Sequence, residues 1–340
     1  MSSPLRFAVI GTGFWSNFQI PAWKEFPGTE LVAVYNRTRP RAEEIARKFD
    51  VPAVYSNVEE MLDKEKPDFV DIITDVDTHP HFTKLAAARG VNVICQKPMA
   101  PSLAEAESML EYCEERRVKL FVHENFRWQA PIRTLKKLLG SDTIGEPFKA
   151  RVTFCSAFPV FENQPFLANL EQFILTDVGS HVLDICRFLF GEVNSLYCTT
   201  QRVNTGIRGE DVANVLMQMK SGLSCYAEMS YASILEKETF PQTLILVEGS
   251  KGSIQLAHDF EIRVTTKSGT AKENVSPTQY SWADPAYALV HSSIVDCNRN
   301  ILEGLLSGSA ENTGADNLRT IQLVYACYDS AAKGRAVSVS

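Results

Sequence analysis

The sequence predicts an α/β domain built on a parallel sheet, followed by a domain whose segments read as a meandering antiparallel sheet with helices. Three observations carry this. Short apolar runs alternate with amphipathic segments over residues 1–125, and the first run ends directly in Gly11-Thr12-Gly13. From Phe148 onward that rhythm gives way to short strand-like segments joined by turns at Gly206, Lys220-Ser221-Gly222 and Gly249. At 340 residues the chain exceeds what one core usually holds, so a division into 1–125 and 126–340 is expected. Whether the last helix packs back on the first domain is left open.

Taken in order, Phe7-Ala8-Val9-Ile10 is a buried strand, and the turn after it runs Gly11-Thr12-Gly13-Phe14-Trp15-Ser16. Two glycines at the carboxyl end of a first strand let a pyrophosphate approach the backbone at a helix N-terminus. Ser16 stands where a third glycine is usual, and Pro21 predicts an irregular or kinked helix. Leu31 to Tyr35 is a second strand and closes a βαβ unit, which favours a dinucleotide site over a bare glycine turn. That strand ends in Asn36-Arg37-Thr38-Arg39, without the acidic residue that holds the ribose 2′-hydroxyl of NAD. Arg37, Thr38, Arg39 and Arg41 suit a phosphate, so NAD(P) is expected with a lean to NADP. The competing reading gives the ribose to the Asn36 amide and leaves the arginines as a solvated helix start.

The alternation continues with a helix over Ala42 to Phe49, a short helix near Val58 to Leu62 that Ser56 can cap, and a strand at Phe69 to Ile73. Helix Phe82 to Arg89 stops at Gly90. His79-Pro80-His81 has no third ligand nearby and makes a poor metal site, so no metal is expected. Val93 to Cys95 is a buried strand that runs out into Gln96-Lys97-Pro98. Ligands bind beyond the carboxyl ends of such strands, so Lys97 is read as lying beside the reacting carbon of a substrate. Leu103 to Arg116 and Lys119 to His123 add a helix and a strand.

In the second half, strands are expected at Lys149 to Ser156, Leu196 to Val203, Ala213 to Met219, Ser224 to Met229 and Thr243 to Val247. Helices are expected at Ala286 to Leu306 and Asp316 to Ala332. Thr176 to Gly191 reads as a helix capped by Thr176 and stopped by Gly191. Asp177, His181 and Asp184 fall on one of its faces, with Val182, Ile185, Cys186 and Leu189 on the buried side. Three polar residues at that spacing are often only a solvated face. The aromatic stretch Phe158 to Phe166 is either one wall of a substrate pocket or an ordinary packed loop.

Composition narrows the partners. The formal net charge of −7 argues against nucleic acid or acidic membrane, and no apolar run reaches membrane-spanning length. The first six residues lack the layout of an export signal. The eight cysteines (95, 113, 155, 186, 198, 225, 297 and 327) include no C-x-x-C pair and lie mostly in apolar segments. They read as buried thiols in a reducing cytoplasm rather than as disulfides.

Gly11-x-Gly13, Thr74 with His79, and Gln96-Lys97-Pro98 together resemble the glucose–fructose oxidoreductase/inositol dehydrogenase (Gfo/Idh/MocA) family. Gln96 replaces the Glu of the family's Glu-Lys-Pro. The resemblance extends to Asn125-Phe126-Arg127, Ile144-Gly145-Glu146-Pro147, Asp177-x-Gly179-x-His181-x-x-Asp184 and Glu248-Gly249-Ser250-Lys251-Gly252-Ser253. It implies an α/β Rossmann domain and an α+β domain with a large, mostly antiparallel, open-faced sheet, with substrate bound between them. It also implies hydride transfer between NAD(P) and one carbon of a sugar, a sugar derivative or a cyclic polyol. His181 would be the base, Lys97 the donor to the reacting oxygen, and Asp177 a holder of substrate hydroxyl. To Gly11, Thr12, Gly13, Phe14, Trp15, Asn36, Arg37 and Thr38 the resemblance adds Thr74, His79, Gln96, Lys97 and Asn125 as cofactor residues. Arg127 and Trp128 are weaker substrate candidates. Family members pair through the sheet, so a homodimer or homotetramer is expected.

One departure stands out: Glu171-Gln172-Phe173-Ile174-Leu175 occupies the place where many members carry glycines. Two other functions occur on this fold, a redox-neutral NAD-dependent glycoside hydrolase and a non-catalytic nucleotide-sensing regulator. The presence of Lys97, Asp177 and His181 counts against the regulator.

Overall fold

The computed structural model describes residues 3–339, and the chain divides into two compact units. The first takes in the chain up to Asn125 together with Ile294–Arg319, and the second comprises Phe126–Ser293 with Thr320 onward.

The first unit runs β1 (Leu5–Ile10), α1 (Ser16–Trp23), β2 (Thr29–Tyr35), α2 (Arg39–Phe49), β3 (Ala53–Tyr55), α3 (Val58–Glu65), β4 (Phe69–Ile72), α4 (His79–Ala87), β5 (Asn92–Gln96), α5 (Leu103–Glu115) and β6 (Leu120–His123). The six strands are all parallel, in the order β3-β2-β1-β4-β5-β6, so the winding reverses between β1 and β4. Apolar runs such as Phe7 to Ile10 are buried because helices cover both faces of such a sheet. The irregular start expected for α1 is observed. The amides of Ser16, Asn17 and Phe18 bond three residues back, and Pro21 lies inside the helix.

Two local expectations are corrected. Asn57, not Ser56, caps α3 by accepting from the Glu60 amide at 2.9 Å. Helix α4 begins at His79 rather than Phe82, with Pro80 in its first turn, where a missing N–H costs nothing. Gly90 does close that helix region, at φ +71°. Beyond β6, Thr313 bridges Phe121, and the Asn312 side chain donates to the Glu124 carbonyl at 2.6 Å. Lys119 Nζ reaches the carbonyls of Gly304 and Leu305 at 2.9 and 2.8 Å. These contacts tie residues 294–319 to the first unit, so they do not follow the simple division at residue 125.

The second unit holds α6 (Ala130–Leu139), β7 (Pro147–Cys155), α7 (Val160–Asn163), α8 (Val178–Phe190), β8 (Val193–Gln201), β9 (Val212–Met219), β10 (Ser224–Ser230), β11 (Leu244–Gly249), β12 (Gly252–Leu256), β13 (Glu261–Thr266) and β14 (Gly269–Asn274). Helices α9 (Ala288–Ser307) and α10 (Gly314–Lys333) and the short β15 (Val337–Ser338) complete the chain. The nine strands follow the order β14-β13-β12-β11-β7-β10-β9-β8-β15, and every neighbour pair is antiparallel except β7 with β10.

One face of this sheet is core. Val152, Phe154, Val215, Met217, Cys225, Ala227, Ile245 and Val247 belong to one cluster with Val182, Ile185, Cys186 and Leu189 of α8. The other face carries a row set by register: Tyr197, Leu216, Tyr226, Arg151 and Leu246 stand side by side across five strands. Tyr197 and Leu216 are 40% and 51% exposed. Strands β12 to β14 were not expected; β14, Gly-Thr-Ala-Lys-Glu-Asn, is exposed at every residue and shows no apolar alternation. Among the described residues, no helix is long and apolar enough to cross a membrane.

Candidate active site

In the first unit, the residues expected at a nucleotide gather at the carboxyl ends of β1, β2, β4 and β5. Gly11 has φ +109°, and a Cβ there would sit 2.8 Å from the Ile73 carbonyl oxygen and 2.9 Å from Thr74 Cγ2. Only glycine fits. At Gly13 an added Cβ would meet no atom within 4 Å, so the backbone between β1 and α1 fronts open space. That is the room a pyrophosphate needs at a helix start. Ser16, in the place of the third glycine, donates from Oγ to the Gly13 carbonyl at 2.6 Å and pins the turn instead. Phe14, Trp15 and Phe18 form an aromatic cluster with centroids 5.0 to 5.4 Å apart.

Asn36, at the end of β2, donates from Nδ2 to Thr12 Oγ1 at 2.7 Å and accepts from the Thr38 amide at 2.8 Å. Its side chain thus joins the glycine turn to the loop after β2. Arg37 is exposed, and Arg39 is paired with Glu43 at 2.9 Å. Gln96 accepts from the Lys97 amide at 2.9 Å, and the Lys97–Pro98 peptide is cis. Asn125, just past β6, is buried.

His79, expected on the cofactor side or at a helix start, is the first residue of α4. It is 1% exposed, with Nδ1 3.0 Å from the Pro98 carbonyl and Nε2 3.0 Å from the Thr74 carbonyl. Burial pulls its pKa below the ordinary histidine value even though both carbonyls favour the charged ring. The imidazole therefore lies between the loop after β4 and the loop after β5. Among the described residues no cluster of three His, Cys, Asp or Glu side chains is placed to hold a metal.

In the second unit, α8 presents Asp177 at its N-terminus and His181 one turn on. Asp177, not Thr176, is the cap residue: Thr176 Oγ1 points back to the Gln172 and Phe173 carbonyls, at 2.8 and 3.0 Å. Gly191 ends the helix at φ +87°, its amide on the Arg187 carbonyl. The polar stripe is no solvated face. His181 is 6% exposed and lies flat on Phe126, with centroids 3.8 Å apart and planes 4° from parallel. Asp184 is fully buried and accepts a two-pronged bond from Arg127, through Nε at 2.7 Å and through Nη2. Thr320 Oγ1 adds a third bond to Asp184 at 3.1 Å. Arg127 therefore spends its guanidinium on holding α8, and Trp128 is buried beneath the Arg133 guanidinium, 4.3 Å from its ring centre.

Sequence reasoning missed Tyr231. It follows β10, and its hydroxyl donates to Asp177 Oδ2 at 3.2 Å while its ring stacks on Phe173. Burial, then the Asp177 carboxylate, pushes the phenol well above its ordinary pKa, so it remains a donor. Only the topology reveals it: β7 and β10 are parallel neighbours, so the chain leaves both at the same end of the sheet. There Glu238 accepts from Ser156 Oγ at 2.7 Å and the Ala157 amide at 2.9 Å, and Phe158 stacks on Phe240 at 3.8 Å. The aromatic 158–166 stretch is thus pinned to the loop that follows Tyr231.

A reversed parallel sheet with an open glycine turn, joined in one chain to a helix bearing Asp177 and His181, defines a nicotinamide-dependent dehydrogenase. Residues 5–124 match the family described as "Oxidoreductase family, NAD-binding Rossmann fold", and residues 132–255 match the "GFO/IDH/MocA C-terminal domain". The chain belongs to the Gfo/Idh/MocA family. It is 42% identical to a D-apiose dehydrogenase of Paraburkholderia graminis over 333 residues, 98% of this chain and 89% of that protein. It is 41% identical to a D-apiose dehydrogenase of Rhizobium rhizogenes over 336 residues, 98% and 97% of the two chains. An oxidoreductase from Agrobacterium radiobacter, solved with NAD+, L-tartaric acid and magnesium, superposes with a TM-score of 0.97 at 40% identity, covering 99% of each chain.

Proposed function

We propose that this protein oxidises a CH–OH carbon of a sugar using NAD, and that D-apiose is the sugar to test first. The observation that carries the reading is the α8 corner. A carboxylate steadied by the Tyr231 phenol stands one helical turn from an imidazole held flat against Phe126. A bound nicotinamide would supply the hydride acceptor. His181 takes the hydroxyl proton, a task for which an imidazole near neutral pH is suited. Lys97 donates to the oxygen on the reacting carbon as negative charge builds there. Asp177 accepts from a substrate hydroxyl, its free geometry limited by Tyr231. Phe158 and Phe240 offer ring faces to the C–H side of a sugar.

NAD is preferred here to NADP for two reasons. Arg39 is engaged by Glu43, and the relative at 40% identity was solved with NAD+. The Asn36 amide, bridging Thr12 and Thr38 at the end of β2, supports giving the ribose to this side chain. The eight free thiols, seven of them buried, suit a reducing compartment, the cytoplasm. A second copy of this chain is proposed to cover the row from Tyr197 to Leu246.

The test is absorbance at the reduced-nicotinamide band with D-apiose and a panel of other sugars and polyols, run with each nucleotide. D-Apiose with NAD is expected to give the highest kcat/KM. Lys97→Met is expected to lower kcat about 10²–10³-fold with the NAD Kd within about twofold. Free sugar released from a glycoside without net cofactor reduction would replace this reading with hydrolysis.

A further inference from the structure

Glu210 lies in the turn before β9, and it holds three consecutive backbone amides of the segment that leads to Asp177. Its carboxylate accepts from the Phe173 amide at 3.2 Å and from the Leu175 amide at 3.2 Å. Its own backbone carbonyl accepts from the Ile174 amide, between them, at 3.1 Å. The Tyr328 hydroxyl of α10 donates to the same carboxylate at 2.6 Å. Burial, then Glu210 itself, drives the Tyr328 phenol far above its ordinary pKa, so this donor too is permanent.

The approach depends on the residue before it. A Cβ at Gly209 would sit 2.7 Å from the Leu170 carbonyl oxygen and 2.9 Å from Phe173 Cβ. Only glycine lets the 209–211 turn lie against 170–175 this closely. The held segment in turn fixes the head of α8: the Asp177 amide bonds to the Phe173 carbonyl at 2.9 Å, and the Gly179 amide to the Ile174 carbonyl at 2.7 Å. The same turn reaches Tyr231, whose amide bonds to the Asp211 carbonyl at 2.9 Å. Both Asp177 and the phenol that contacts it are therefore referenced to residues 209–211.

We infer that Glu210 is a positioning residue: by holding the 173–175 amides it sets where the Asp177 carboxylate stands toward substrate. The Glu210 carboxylate takes the Phe173 and Leu175 amides while its backbone carbonyl takes the Ile174 amide between them, so one residue orients all three. The inference rests on the catalytic reading above, through Asp177.

The experiment is a double-mutant cycle on the full chain with Glu210→Gln, Asp177→Asn and the pair, reading sugar KM and kcat, NAD Kd by fluorescence and melting temperature. Glu210→Gln keeps one carbonyl acceptor but brings an N–H2 against an amide. It is expected to lower kcat/KM for the sugar about 10–100-fold, with the NAD Kd within about twofold. In the Asp177→Asn background the same change is expected to cost less than about twofold, because its effect passes through the carboxylate already altered. Tyr328→Phe, which leaves the amide bonds in place, is expected to change kcat/KM by less than about threefold. Equal losses from Glu210→Gln in both backgrounds, or parental kcat/KM in the folded variant, would overturn the inference. If Asp177→Asn itself retains parental activity, the catalytic reading fails instead.

Discussion

Asp71 shows what a single carboxyl can cost a fold. It sits mid-strand in β4, fully buried, with Oδ2 accepting from Trp23 Nε1 at 2.8 Å and Oδ1 without a partner. Burial raises its pKa from 3.8 to about 7, against the opposing Trp23 bond. Since the folded value lies above the unfolded one, the stability present below pH 4 is lost as pH rises through 7, by up to about 4 kcal/mol. Asp71→Asn keeps the acceptor for Trp23 and removes the charge. Its melting temperature is expected to exceed the parent's at pH 8 and to converge on it near pH 4–5, as thermal melts across that range would show. Nothing in the string Phe-Val-Asp-Ile reveals this, because the missing water around Asp71 is a property of the packed sheet. His79 makes the same point from the other side. Its spacing from Thr74 was readable, but the two carbonyls that occupy its ring come from separate loops.

At the scale of an element, α8 is placed by the short turn Phe126 to Trp128. Phe126 covers His181 and Arg127 grips Asp184, from more than fifty residues earlier in the chain. Arg127→Leu is expected to leave a buried carboxylate unpaired and to cost about 3–5 kcal/mol. In a chain of this size that is a fall of roughly 4–7 °C in melting temperature. Adding Asp184→Leu to that variant is expected to restore a good part of the loss, since an apolar pair needs no partner. A calorimetric scan of the three proteins separates a structural clamp from a substrate contact: a substrate contact would move sugar KM with little change in melting. The helix itself, its stop at Gly191 and its polar stripe were legible from periodicity. That Asp184 is the one gripped by Arg127 was not, because Asp177, His181 and Asp184 share a stripe and differ only in what the rest of the unit sets against them.

At the scale of the whole molecule, the second unit leaves one sheet face uncovered by its own helices. Register lines up Tyr197, Leu216, Tyr226 and Leu246 on that face, with the Arg151 guanidinium 5.9 Å from the Tyr226 ring centre. If a second copy covers it, Leu216→Lys buries an ammonium in the interface and is expected to shift the protein to a monomer in light scattering. Activity per subunit is expected to change by less than about threefold, because Leu216 points away from the α8 side of the sheet. An unchanged mass would mean that copies pair elsewhere or that the face stays open.

The alternation of strands and helices in the first unit, the glycine turn, the placement of Lys97 at a strand's end and the membership of the family were all written in local pattern. Period, turn chemistry and short motifs act over a few residues and survive in a one-dimensional record. Tyr231 on Asp177, Glu210 under residues 173–175, Arg127 on Asp184 and the neutral surroundings of Asp71 were decided only when distant segments met. Hydrogen bonding and desolvation depend on which atoms lie within about 3 Å and on whether water is excluded, and those are facts of packing.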